Sequence, residues 1–515
     1  VADKERFGRL GKTAMLEAGT TAWRVERADR VALLVDMDPY LTAAEAAMRQ
    51  ARRSIWFLNW AFDPDTPLTP EGPNGEAERM GAFLKRLAAE QPDLDIRILC
   101  WDAPLPVAGV QRFFPWRSRR FFKDSRVDFR LDKTAPIGAA HHQKVVVIDD
   151  ALAFCGSCDI GPDRWDTPDH KFPDPRRLPP GGGKRCYDCR HEIMTMVDGE
   201  AARGLGQLFR DRWERATEQT LPSPPDEATT PWPDHVKPDL IGAPVAIART
   251  QAPWRDQPEI REGEAATLAG IAAAKRTLYL ENQYFASPIV AEALAQRLEE
   301  ADGPEIMLVS TQHSPSWFDQ MTMDKTRSNF LKRLEESDRH GRLFACAPVT
   351  EGGETIIVHA KLMIVDDRYV RLGSSNMNNR SEGFDTECDL IIDAGEAEGD
   401  GEACVAVFRQ RLIAHWLGVE ETVVAKAVDA QGLIGGVRGL EATTRRLRPL
   451  KSQALGALAG FIAKHHLGDP IAGGDSLRPW RRPTLMRRKL AEQVAALEAA
   501  RAPAPDMPED ADALE

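Results

Sequence analysis

No run of apolar residues in this 515-residue chain is long enough to cross a bilayer, so a helical membrane span is not expected. The opening stretch, VADKERFGRLGKTAML, has no apolar h-region, so no secretory signal is expected either. The chain does not begin with Met, and a trimmed leader would escape this reading. The expected location is cytoplasmic or peripheral to a membrane, with export by a signal-independent route left open. Positive charge is also short: 67 basic residues face 79 acidic ones, a formal charge of −12. That balance argues against a protein whose main task is coating nucleic acid.

Cysteine is sparse and scattered, eight in all. Two C-x-x-C pairs, Cys155/Cys158 and Cys186/Cys189, have a spacing that would suit tetrahedral zinc. The first pair lies inside a motif with another explanation, given below, so no metal and no cofactor are expected. What the chain does have is a globular composition and a length that calls for several domains or one duplicated unit.

Duplication is the answer. ARRSIWFLNWAF (51–62) resembles AKRTLYLENQYF (274–285), and HHQKVVVIDDALAFCGSCD (141–159) resembles VHAKLMIVDDRYVRLGSSN (358–376). Further on, HEIMTMVDG (191–199) matches TECDLIIDAG (386–395), and LFRDRW (208–213) matches VFRQRL (407–412). Four pairs in one order define two halves, 31–217 and 246–418, joined by a proline-rich linker, 218–245. Residues 1–30 form an N-terminal extension. Residues 419–515 form a C-terminal one, with a basic segment, a helix over 483–501 and a disordered acidic end. Each half reads as strand, helix and strand, followed by a hairpin. Apolar residues on both strand faces predict sheets covered on each side. The expected fold is α/β: two similar mixed-sheet halves about a pseudo-twofold axis, with helices on both sheet faces.

His142 and Lys144 stand two apart on a strand and so share a face, as do His359 and Lys361. Facing halves would bring these four together with Ser157, Ser374 and Asn376. Lysine is a poor metal ligand at neutral pH, but two ammonium groups among neutral donors suit a phosphate and the charge that grows on it. Two imidazoles on opposite sides divide the labour: one attacks phosphorus, the other protonates the leaving oxygen and later activates water. Glu192 and Glu387, matched across the repeat, are candidates to orient those imidazoles. Asp149 and Asp366 read as structural turn residues. His141, with no counterpart in the second half, reads as structural or peripheral.

H-x-K-x4-D-x6-G-S, present twice, resembles the signature of the phospholipase D superfamily over roughly 31–418. HHQK, CDIGPDRWDTPDH (158–170), ENQYF (281–285) and NNRSEGFDTE (378–387) resemble its eukaryotic-type members. The resemblance implies a covalent phosphohistidine, no catalytic metal in the central reaction, and exchange of water for an alcohol as acceptor. It implies His142 as nucleophile and His359 as general acid/base, with Lys144, Lys361 and Asn376 on phosphate oxygens. It also implies that Glu387 serves His142 and Glu192 serves His359, across the halves. Asp159 departs from the superfamily's usual Asn. It is kept among the substrate-side positions, with a neighbouring cation or backbone group as its expected partner.

Aromatic and basic residues mix in QRFFPWRSRRFFK (111–123), and aromatics recur in SPSWFDQMTM (314–323). Both suit a membrane interface; packing into a core is the other reading. The expected function is hydrolysis of a glycerophospholipid such as phosphatidylcholine to phosphatidate and a free alcohol, with transphosphatidylation, by a monomer in transient contact with a membrane surface. The alternatives are a nuclease or phosphodiesterase on nucleic acid, a phosphatidyl transferase of cardiolipin-synthase type, and a non-catalytic scaffold. Intact motifs in both halves count against the scaffold, and acidic charge counts against nucleic acid as substrate.

Overall fold

The computed structural model describes residues 14–69, 78–105, 107, 114–178, 185–223, 230–454, 456–472 and 478–501. Its centre is one 16-stranded mixed sheet. Two long antiparallel strands, Arg24–Val35 and Leu240–Gln251, lie side by side in the middle, with Val25 opposite Ala246 and Val31 opposite Leu240.

Outward from the first of these the order is Ile193–Asp198, Leu152–Gly156, Val145–Ile148, Ser54–Asn59, Asp95–Trp101 and Asp128–Asp132. Outward from the second it is Glu387–Asp393, Tyr369–Gly373, Lys361–Val365, Thr277–Asn282, Glu305–Val309 and Leu343–Val349. Directions also match: in each half the three outermost of these strands run parallel and the remaining neighbours antiparallel. The duplicated sequence thus folds twice in one order. The halves are fused edge to edge into one sheet.

Both faces are covered, as the apolar strands require. Val145 and Val147 point into a core shared by the two halves, while Val146 and Ile148 point into a core of the first half alone. Leu362 and Ile364 join the shared core, and Met363 and Val365 a third core on the other face. Helices Gly199–Thr217 and Gly401–Leu417 cover the shared core. Met37–Gln50 and Met80–Glu90 cover the second, and Glu262–Ala273 and Pro288–Glu299 the third.

The motif hairpins turn on Asp149-Asp150 and Asp366-Asp367, all four with positive φ, within three-residue loops closed by Ala151 N–H to the Ile148 carbonyl and Arg368 N–H to the Val365 carbonyl. The first carboxylate of each turn accepts three backbone N–H groups. Asp149 takes those of Arg52, Arg53 and Ser54 at 2.7–2.8 Å. Asp366 takes those of Lys275, Arg276 and Thr277 at 2.7–2.8 Å. The second carboxylate pairs with the arginine of the repeated helix motif, Asp150 with Arg210 and Asp367 with Arg409.

The basic segment of the C-terminal extension becomes an edge strand, Arg446–Pro449, beside Leu343–Val349. Helices Ala457–Lys464 and Arg482–Arg501 follow. The acidic end expected to be disordered lies outside the described residues, as do the first residues of the N-terminal extension. Among the described residues, no helix is long and apolar enough to cross a membrane.

Candidate active site

The two motif histidines lie where the halves meet, and each is held by the opposite half. Nδ1 of His142 lies 2.8 Å from Oε2 of Glu387, and Nδ1 of His359 lies 2.9 Å from Oε2 of Glu192. Backbone bonds fix the crossing: the N–H of His142 donates to the carbonyl of Thr386, and that of His359 to the carbonyl of His191. Thr386 and His191 directly precede the two glutamates, so the register that docks each histidine also delivers its carboxylate. Within the described residues no hydrogen bond occupies Nε2 of either ring.

Lys361 opens the strand Lys361–Val365, and Lys144 stands one residue before the strand Val145–Ile148. Each ammonium donates to the carbonyl of its own motif histidine. Lys144 also lies 3.2 Å from Oδ2 of Asp159, whose Oδ1 accepts the N–H of Ala61. The carboxylate at position 159 is thereby committed to a cation and a backbone group, not turned on a substrate.

Ser157 and Ser374, expected on the substrate side, are both fully buried, and their hydroxyls donate to carboxylates. Ser157 reaches Oε2 of Glu192 at 2.7 Å, and Ser374 reaches Oε2 of Glu387 at 2.6 Å. Each half therefore prepares a carboxylate with its own serine and lends it to the other half's histidine. A third hydroxyl, Ser381, holds Oε1 of Glu387 at 2.6 Å. Asn376 keeps a buried Oδ1 with no protein partner.

Burial sets the electrostatics. It pushes the Glu387 carboxyl up to about 8. It pulls the Lys361 ammonium down to about 7, with Glu192 offsetting part of the effect and Lys144 adding to it. His142 is held well below the usual imidazole range by burial, then by Lys144 and Lys361. His359 is held low by burial, then by Lys361, Arg164, Arg190 and Lys144. An anion placed among His142, His359 and Lys361 would favour their charged forms.

Arg164 and Arg190, which act electrostatically on His359, were not singled out by sequence reasoning. Arg190 is buried, and its Nε has no hydrogen-bond partner. Neither arginine has a counterpart in the repeat, so comparing the halves could not find them. His141 is a buttress: it bridges Asp132 and Thr386, and Arg212 closes on the same aspartate.

The two cysteine pairs do not gather. Cys155 lies against Cys388 with sulfurs 3.8 Å apart, Cys186 donates to the carbonyl of Asp174, and Cys189 to that of His170. A different set could hold a cation: Asp36, His170, His191 and His415 each bring one donor atom within 4.8 Å of the others. Imidazoles with a carboxylate suit a transition metal, and Asp166 and Glu281 bind the far nitrogens of His170 and His191. These residues come from four separate stretches, which the sequence reading did not connect. The cluster is also charge-compensated as it stands. Against burial, Glu281 and Asp36 raise His191 to about 10, so an imidazolium lies between two carboxylates.

Of the aromatic stretches, Phe122 stacks on Phe129 in the core, whereas Trp116 and Trp317 are exposed, Trp317 by 74%. Arg112 and Phe113 lie outside the described residues.

Residues 268–406 match the family model described as cardiolipin synthase, phospholipase D-like domain. Phospholipase D alpha 4 of Arabidopsis thaliana is 23% identical over 65% of this chain and 58% of its own length. Phospholipase D A of Dictyostelium discoideum is 24% identical over 76% of this chain and 36% of its own. The chain thus spans about three fifths of the first relative and about a third of the second. The fold is shared with phosphatidylserine synthase of Haemophilus influenzae, at a TM-score of 0.53 and 14% identity, over 92% of this chain and 95% of that one. Residues 268–406 thus match a phospholipase D-like domain, and the chain is similar to phospholipases D over much of its length.

Proposed function

We propose that this chain cleaves glycerophospholipids at the headgroup side of the phosphodiester, through a covalent phosphohistidine on His142. The observation that carries this reading is the crossed pair of carboxylate–imidazole contacts, with both Nε2 atoms uncommitted. Above about pH 8, where Glu387 is ionised, its carboxylate on Nδ1 fixes the tautomer that leaves an unprotonated Nε2 to attack phosphorus.

In the first step Nε2 of His142 bonds to phosphorus and the bond to the headgroup oxygen breaks. His359, charged as the diester anion enters, gives its Nε2 proton to that oxygen. Lys144, Lys361 and Asn376 take the phosphoryl oxygens, where charge accumulates in the transition state. In the second step His359 takes a proton from water, whose oxygen displaces the histidine from phosphorus. Phosphatidate leaves and the enzyme is restored.

An alcohol in place of water gives transphosphatidylation. The match to a cardiolipin synthase domain favours phosphatidyl transfer as the second reading, since both reactions share the intermediate. Exposed Trp116 and Trp317, with Arg117, Arg119 and Arg120 exposed beside the first, support transient contact with a lipid surface.

The test is incubation with phosphatidylcholine vesicles, EDTA and a little ethanol. Phosphatidate and phosphatidylethanol should both form, and both should vanish in His142→Ala. Turnover of single-stranded DNA but of no lipid, across mixed headgroups, would overturn the lipid reading.

A further inference from the structure

The C-terminal extension lies outside both repeats and outside the matched family domain, yet it reaches into the shell of the nucleophilic histidine. The carboxylate of Asp469 is buried, with 1% of the residue exposed. Its Oδ2 accepts the backbone N–H of Asn379 at 3.0 Å and the side-chain amide of the same residue at 2.6 Å. Its Oδ1 accepts the N–H of Arg380 at 2.9 Å.

Asn379 and Arg380 open the short helix Asn379–Gly383, whose third N–H, from Ser381, goes to the side chain of Asn378. A five-residue helix leaves most of its first N–H groups without intrahelical partners, and an isolated turn of this length has no stability of its own. Asp469 supplies two of the three acceptors that this turn needs.

What the turn holds is specific. Ser381 donates to Oε1 of Glu387, the carboxylate on Nδ1 of His142. Arg380 forks onto Asp385, and Asp385 accepts the N–H of Ala140, two residues before His142. The path from Asp469 to the imidazole is a chain of direct hydrogen bonds through one helical turn.

The extension is itself firmly seated. Gly468 packs so closely on Thr322 that an added Cβ would lie 2.8 Å from that side chain. Arg482 closes on the carbonyl of His466, whose neighbouring turn carries Asp469. Lys489 on the last helix reaches Glu264, which pairs with Arg261, and Arg261 donates to the carbonyl of Glu382 in the same short helix. The segment therefore grips Asn379–Gly383 at both ends.

We propose that C-terminal residues 457–472 and 478–501 are part of the active-site apparatus, with Asp469 a positioning residue that sets the ring of His142 through Ser381 and Glu387. This rests on the reading of His142 as nucleophile. Asp469 touches no reacting atom.

The experiment compares the full chain with Asp469→Asn and Asp469→Ala, on phosphatidylcholine vesicles and on a soluble diester, bis(p-nitrophenyl) phosphate. A misplacement of about 1 Å caused far from the chemistry can cost about 10²-fold. The expected result for Asp469→Ala is a kcat reduced by up to about that factor with KM within about twofold, and faster amide exchange over 379–383. Asp469→Asn keeps one carbonyl oxygen as acceptor and should recover part of both. Equal kcat in Asp469→Ala and the parent would overturn the proposal, as would unchanged amide exchange. If the parent itself turns over neither diester, the functional reading fails, and the exchange measurement still decides whether Asp469 holds the turn. If alanine does not fold, the asparagine variant carries both readouts.

Discussion

Oε2 of Glu387 lies 2.8 Å from Nδ1 of His142, although 245 residues separate them in sequence. The carboxylate belongs to the second half and the imidazole to the first. Its mirror, Glu192 with His359, runs the other way, at 2.9 Å. The site exists only where the two halves meet.

The two histidines are distinguishable by leaving group. His142→Ala and His359→Ala should each lose at least about 10³-fold in kcat on phosphatidylcholine. With p-nitrophenol as leaving group, which departs without a proton, His359→Ala should recover much of the first step and release a burst of p-nitrophenolate. His142→Ala should not. The reverse pattern would exchange the roles.

Glu387→Gln should abolish catalysis and stabilise the fold. Burial raises this carboxyl to about 8, against an ordinary value of 4.5. Between those values the folded state holds a proton that the unfolded chain has released, so stability falls as pH rises through that window. The glutamine variant escapes the loss. Its unfolding free energy at pH 8 should exceed the parent's by on the order of 2–4 kcal/mol, and the difference should shrink towards zero below pH 4.5. A variant less stable than the parent at pH 8 would refute the argument.

Asp132 neutralises Arg212 and bridges to His141 behind the catalytic strand. Removing one partner of a buried pair leaves the other charge uncompensated, at about 3–5 kcal/mol. Asp132→Ala should therefore lose that much in urea unfolding. A loss under about 1 kcal/mol would show that water reaches Arg212.

Asp149→Ala should cost more than Asp366→Ala, although each aspartate accepts three corresponding N–H groups. Asp149 is 3% exposed, whereas the backbone around Asp366 is partly open to solvent. Water can replace the carboxylate in the second case. The expected losses are about 2–4 and about 1–2 kcal/mol, read from thermal or urea denaturation. Equal losses would mean that burial does not set the difference.

The sequence made the fold legible because it says the same thing twice. His142, Lys144 and Asp149 gain their meaning from His359, Lys361 and Asp366, and the repeated strand order follows the repeated motifs. Pairing of each glutamate with the opposite histidine came from resemblance; matched spacing alone cannot tell which half a carboxylate serves. The serines' contacts with the two glutamates were not legible, because a motif records which residue is present and not where its hydroxyl turns. Arg164, Arg190, the histidine cluster at Asp36 and the reach of Asp469 into the site have no second copy. Their contacts are made by tertiary packing between distant stretches, and no local period announces them.

The pair of central strands that closes the sheet also makes the two halves interdependent. Cut within the proline-rich connection and made as two polypeptides, each piece would carry a histidine lacking its carboxylate and a carboxylate lacking its histidine. Each would also bare a twelve-residue strand edge that only the other piece fits. Recovery of turnover on mixing would then count assembled pairs, and it would rise with the product of the two concentrations rather than with either alone.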